Sequence, residues 1–261
     1  MKSLRTLLCL LAGLVAFALP ARTVYITRHG QVDGKNKISK QVRDVPLTQL
    51  GEKQALALAE YLIQKCRFNG RIYVSPFYRT IQTGTFTANL LKSKVILEPG
   101  IQEIAPGPKP GYSMDMQTIE KYFPGQTVPG KRFSDTWRLF DENAAKRTVR
   151  IQKALKEILA EEKGDILLVG HGGVIGPLIN YLNAKKASPA VKHITGKGWN
   201  CSLYIFELDE KDQVKGGRYT TEFMEDKDIT NNFRAPKILR PDDPRYAKTD
   251  KKKKSKGKNK K

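Results

Sequence analysis

Cysteine, histidine and tryptophan are scarce in this chain, with three, three and two residues among 261. Cys9 falls in the opening segment, which leaves Cys66 and Cys201. Their spacing suits no thiolate metal site. They lie in unrelated segments, and two buried thiols are the simpler expectation than a disulfide. Long apolar runs are also missing. The opening apolar run, residues 7–19, is uncharged, has 13 residues and is too short to span a bilayer comfortably. It follows Lys2 and Arg5 and closes on small residues, with Ala18 and Ala21 as rival cleavage positions. That is the layout of a secretory signal over residues 1–21, so the mature chain is expected to be exported, periplasmic or secreted, with no stable membrane span.

Acidic residues are outnumbered, 26 against 47 basic ones, for a formal charge of +21. The final stretch, residues 248–261, holds nine Lys and one Asp, and with the opening segment set aside +11 remains on residues 22–247. A basic body suits an anionic ligand without naming one. The Lys-rich end cannot bury a core, so residues 225–261 are expected to form a disordered tail. It is a candidate for polyanion contact whose affinity falls as salt rises.

No internal repeat is present. Between these ends, strand and helix patterns alternate, which predicts a three-layer α/β/α domain over 22–224 with a mostly parallel sheet. Strands are expected at 23–27, 71–74, 95–97 and 166–169, and closing strands at 201–208 and 219–224. Helices are expected at 48–65, 79–91, 141–163 and 172–183, with Thr48 as an N-cap. Residues 98–140 break the rhythm with six Pro and five Gly, and read as a lid-like or packed insertion.

Two of the three histidines share one context. His29 follows the apolar strand TVYIT and Arg28, and precedes Gly30; His171 follows ILLVG and precedes Gly172 and Gly173. If the two strands are parallel neighbours, both imidazoles reach the same sheet edge, where ligands of open α/β sheets bind. A single strand-end histidine is more often structural; a matched pair points to an active site. Arg79 falls in the first turn of a helix after another strand end, a placement suited to an anion.

RHG at 28–30, DVPLTQLGEKQA at 44–55, SPFYRTIQT at 75–83, the Glu of IQEIAPG at 101–107 and HGG at 171–173 follow one another in the order of the histidine phosphatase superfamily. The chain resembles the phosphoglycerate-mutase-like branch of that family over about 23–208. The resemblance implies a metal-independent, cofactor-free phosphomonoesterase acting on a phosphorylated small molecule through a phosphohistidine. Residue by residue it implies His29 as nucleophile, Glu103 as proton donor, and Arg28, Arg79 and His171 as the phosphate-holding set. Asn36 would match the family's loop asparagine, and Gly172 would add a phosphate contact. DVPLT is assigned to loop and capping geometry. Chemically, the nucleophile must be a neutral imidazole with one nitrogen free. Its other N–H is expected on a backbone carbonyl, with the cations lowering its pKa. Two guanidiniums and a protonated His171 would neutralise the phosphate, and Glu103 must carry a proton when attack begins.

Two other functions compete. A phosphoglycerate mutase is disfavoured because Ile104-Ala105-Pro106-Gly107 after Glu103 contains no Arg. A catalytically silent polyanion-binding protein is disfavoured because every candidate catalytic position is filled.

Overall fold

The computed structural model describes residues 22–34, 37–39, 44–103, 114–134 and 142–231. The expected signal, Asn36, residues 232–261 of the expected tail and two parts of the insertion, 104–113 and 135–140, lie outside them. The elements run β1 (Arg22–Arg28), α1 (Gln49–Gln64), β2 (Arg71–Val74), α2 (Tyr78–Leu90), β3 (Val95–Leu97), a 3-10 turn (Pro99–Ile101), α3 (Met116–Tyr122), β4 (Thr127–Pro129), α4 (Ala144–Glu161), β5 (Ile166–Gly170), α5 (Gly172–Asn183), β6 (Leu203–Leu208) and β7 (Val214–Thr220).

The seven strands form one mixed sheet in the order β4-β3-β2-β5-β1-β6-β7. The first five of that order run parallel, and β6 and β7 close the sheet antiparallel. Side chains alternate between the faces, as the strand period requires. Tyr25, Leu167, Val169, Ile72 and Val74 point into the core shared with α1 and α2. Val24, Ile26, Ile166 and Leu168 point into the core shared with α4 and α5. This is why β1 and β5 read as unbroken apolar runs: both faces are covered. The three-layer architecture agrees with the expectation.

Register then places the chemistry. Arg28 pairs with Gly170, and Val74 with Val169. The residues that follow, His29, His171 and Ser75, therefore leave three adjacent strands at one edge. Capping sets the helix that backs this edge: the Thr48 hydroxyl accepts the Gly51 amide at 3.0 Å and starts α1. Gly30 and Gly51 pack backbone to backbone, and a Cβ on Gly30 would lie 2.5 Å from the Gly51 carbonyl oxygen.

Three expectations need correction. The last strand is Val214–Thr220, not 219–224. Gly216 and Gly217 look like a break in sequence, yet they lie within the strand, where a Cβ on Gly217 would meet the Ile205 carbonyl oxygen at 2.0 Å. The insertion belongs partly to the sheet, since β4 pairs with β3 at the edge, where Pro129 withholds no needed amide. Met114, Ile119 and Phe123 bury themselves in the α1/α2 core. The domain also continues beyond 224: Ile229 and Thr230 are buried, so packing reaches Asn231.

Candidate active site

His29 and His171 meet edge to face, with ring centroids 5.4 Å apart at 63°. Both are buried. The His29 Nδ1 atom lies 2.7 Å from the Gly30 carbonyl oxygen. A carbonyl only accepts, so Nδ1 carries the proton and Nε2 keeps its lone pair. The His29 backbone is pinned as well: its amide donates to the Gly170 carbonyl at 3.0 Å, and its carbonyl accepts from Asn200 Nδ2 at 2.9 Å.

His171 is the N-cap residue of α5 and has the opposite tautomer. Arg79 Nη2 lies 3.1 Å from its Nδ1, and a guanidinium only donates, so Nδ1 is the acceptor. Nε2–H then donates to Ser75 Oγ at 2.9 Å. Burial first, then the Arg79 and Arg28 charges, hold the His29 pKa well below its ordinary value. His171 is lowered by burial, Arg79, His29 and Arg28 in that order. The expectation for His29 therefore stands, with desolvation the larger cause. The same kinds of cause favour the neutral imidazole at His171, whereas the proton expected on it is tied to a bound phosphate.

The two arginines are aimed by different devices. Arg79 Nη1 pairs with Asp44 Oδ1 at 2.5 Å, and the Asp44 carboxylate is fully buried. Asp44 also accepts the Val45 and Tyr78 amides. The guanidinium stacks over Phe77, 4.6 Å from its centroid. DVPLT thus does more than cap a helix: its Asp44 orients the anion-binding fork. Arg28 Nη1 donates to the Gly198 carbonyl at 3.2 Å and to Asn231 Oδ1. The last described residue therefore reaches the first motif. Thr230 and Gln54 tie this strap to Asn200 and to the loop after β1.

Two glycines let the charged groups approach the amino end of α5. A Cβ on Gly172 would lie 3.3 Å from Arg28 Cζ, and one on Gly173 only 2.7 Å from Glu103 Oε1 and 3.0 Å from Arg147 Nη1. Glu103 is half-buried, directly after the Pro99–Ile101 turn. The structure thus brings together Arg28, His29, Arg79, Glu103, His171 and Gly172; Asn36 is outside the described residues. His193 is exposed and takes no part. Sequence reasoning missed Asp44, Ser75, Asn200 and Asn231 as site partners. Asp44 and Ser75 stood inside quoted motifs, whereas nothing local marks Asn200 or Asn231. Glu98, five residues before Glu103, is buried and bound to Arg132 at 2.7 Å.

Among the described residues no group of three His, Cys, Asp or Glu could hold a metal ion. No described helix is long and apolar enough to cross a membrane. Cys66 and Cys201 are free thiols.

Two imidazoles of opposed tautomer, two guanidiniums and the Glu103 side chain gather at the amino end of α5, an arrangement able to hold an oxyanion. In comparison with known proteins, the family model of the histidine phosphatase superfamily (branch 1) matches residues 24–216, and the chain belongs to that family. A probable phosphoglycerate mutase, GpmB, of Photorhabdus laumondii is 30% identical over 163 residues, which cover 60% of this chain and 72% of that protein. The transcription factor tau 55 kDa subunit of Saccharomyces cerevisiae is 35% identical over 117 residues, 40% of this chain but only 26% of that subunit. The C. elegans 6-phosphofructo-2-kinase/fructose-2,6-bisphosphatase is matched over 43% of its length, at 24% identity. The ecdysone phosphate phosphatase of Bombix mori, solved with tungstate, shares the fold at a TM-score of 0.52 and 15% identity, covering 84% of this chain and 97% of that one.

Proposed function

We propose that this protein is an exported phosphomonoesterase that works through a phosphohistidine on His29. One observation carries the reading: the His29 Nδ1 proton is committed to the Gly30 carbonyl, so the Nε2 lone pair is available beside Arg79, Arg28 and His171. A phosphomonoester dianion placed there has its charge met by both guanidiniums and by the amino end of α5. Its charge also offsets the burial and the Arg79, His29 and Arg28 charges that lower the His171 pKa, so His171 can take up a proton as the dianion binds.

In the first step the Nε2 lone pair forms a bond to phosphorus while the bond to the ester oxygen breaks. Glu103 gives its proton to the departing alkoxide. In the second step Glu103 takes a proton from water, the water oxygen bonds to phosphorus, and the P–N bond breaks. Inorganic phosphate leaves and His29 is restored. No metal is needed for either step.

Export is supported by Lys2, Arg5 and the 13-residue apolar stretch that follows. The Lys-rich tail would hold the enzyme against an anionic polymer or surface. Truncation at 249, with retention followed across a salt series, tests that part. The likeness to a protein named as a probable phosphoglycerate mutase keeps mutase activity as the alternative. Assays with p-nitrophenyl phosphate and with 3-phosphoglycerate, with and without 2,3-bisphosphoglycerate, separate them. Hydrolysis with an acid-labile phosphoenzyme, both abolished in His29→Ala, is the expected result. Rapid mutase turnover that depends on the bisphosphate would overturn the ranking. No hydrolysis by the unmodified protein would leave a binding role.

A further inference from the structure

We infer that Arg150, on α4 and remote from the phosphate pocket in sequence, is the positioning residue for the proton donor Glu103. This rests on the proposed role of Glu103 and extends it to how that carboxylate is aimed. Arg150 Nη1 donates to the Gly100 carbonyl at 2.7 Å and to the Pro99 carbonyl at 3.4 Å, and Nη2 donates to the Gln102 carbonyl at 3.3 Å. One planar fork thus gathers three carbonyls of the four residues that precede Glu103. The fork is itself held by Glu142, which accepts from Nε at 3.0 Å and also pairs with Nη2. Every N–H direction of the guanidinium is used on the turn or its anchor, a task a lysine cannot copy.

The turn is also held from within the fold, where Ile101 and Gln102 are buried. The Glu98 carboxylate caps Gly100 from within the fold at 2.7 Å, and the Gln102 amide returns to the Pro99 carbonyl at 3.1 Å. The first holds the turn's start and the second closes it at Gln102. The Glu103 side chain leaves from this exit and reaches over Gly173, and Arg150 holds the carbonyl immediately before it. A proton donor must lie within hydrogen-bond reach of the leaving oxygen, and a displacement of about 1 Å can cost on the order of 100-fold. Arg150 touches no reacting atom in this arrangement. Its charge also lowers the His171 pKa, as the last of five causes, and R150K keeps that charge while removing the fork.

The test exploits leaving-group chemistry. A nitrophenolate departs without a proton, whereas a glycerol alkoxide needs one. The readout is kcat/KM for glycerol 2-phosphate divided by that for p-nitrophenyl phosphate, measured on the full chain. E103Q should lower this ratio about 100-fold or more. R150M, which keeps the apolar stem, should lower it about tenfold or more, and R150K should behave like R150M because charge without the fork does not hold three carbonyls. In the E103Q background R150M should lower the ratio no further, since both act on one step. A normal ratio in R150K, or equal losses on both substrates in R150M, overturns the inference while leaving the Glu103 reading intact. An unchanged ratio in E103Q removes Glu103 as donor, and the positioning role falls with it. If R150M fails to fold, E142Q decides: loosening the anchor should shift the ratio in the same direction by a smaller factor, and an unchanged ratio overturns the inference.

Discussion

Two fully buried imidazoles held neutral by burial and by Arg79 and Arg28 make the stability of this protein depend on pH in a defined direction. In the unfolded chain each histidine takes up a proton as pH falls through its ordinary value of 6.5; in the fold it resists. The unfolded state therefore binds more protons below that pH, and the stabilisation, complete above it, is lost as pH falls. Each site contributes about 1.4 kcal/mol per pH unit over this window, so the pair gives a slope of about 2.7 kcal/mol per unit. Against a total of about 5–15 kcal/mol for an ordinary domain, a fall of two pH units removes a large share. Other groups titrate too, so the comparison is between the unmodified protein and H171Q. Glutamine can accept from Arg79 and donate to Ser75 but does not titrate. Guanidinium unfolding at half-unit steps from pH 7.5 to 5 should show the variant flatter by about 1.4 kcal/mol per unit below pH 6.5. Parallel curves would refute the claim that the fold holds His171 uncharged.

D44N places an amide among three donors and leaves the Arg79 charge without its buried partner. It should cost about 3 kcal/mol of stability by denaturant unfolding and raise KM for p-nitrophenyl phosphate about tenfold as the fork loses its aim; an unchanged KM would deny Asp44 that role. G30A sets a methyl 2.5 Å from a backbone oxygen that cannot swing away, so a loss of about 2 kcal/mol in the same assay is expected. G173A meets only the ends of two flexible side chains, at 2.7 and 3.0 Å. Stability should change by less than about 1 kcal/mol, while turnover of an alkyl phosphomonoester falls more than that of p-nitrophenyl phosphate; equal turnover of both would place Glu103 elsewhere in the working site.

Much of this protein was legible along the chain because its signals are local. A strand covered on both faces must be apolar throughout, so β1 and β5 announced themselves. Thr48 could be read as a cap from its place before a periodic run. His29 and His171 matched because each needs the same strand-then-glycine context. Glycines inside β7 misled for the opposite reason: Gly217 leaves room for the Ile205 carbonyl, and only the partner strand reveals that. The tertiary structure alone decided which partners face the two imidazoles. Asp44 finds Arg79, Ser75 finds His171, Asn231 closes on Arg28, and Arg150 gathers the turn before Glu103. Hydrogen bonds of that kind are set by register and packing between segments far apart in sequence, and no composition or period encodes them. The residues able to do chemistry are written in the chain; the tautomers, the neutral charge state and the aim of each fork arise only when the strands align.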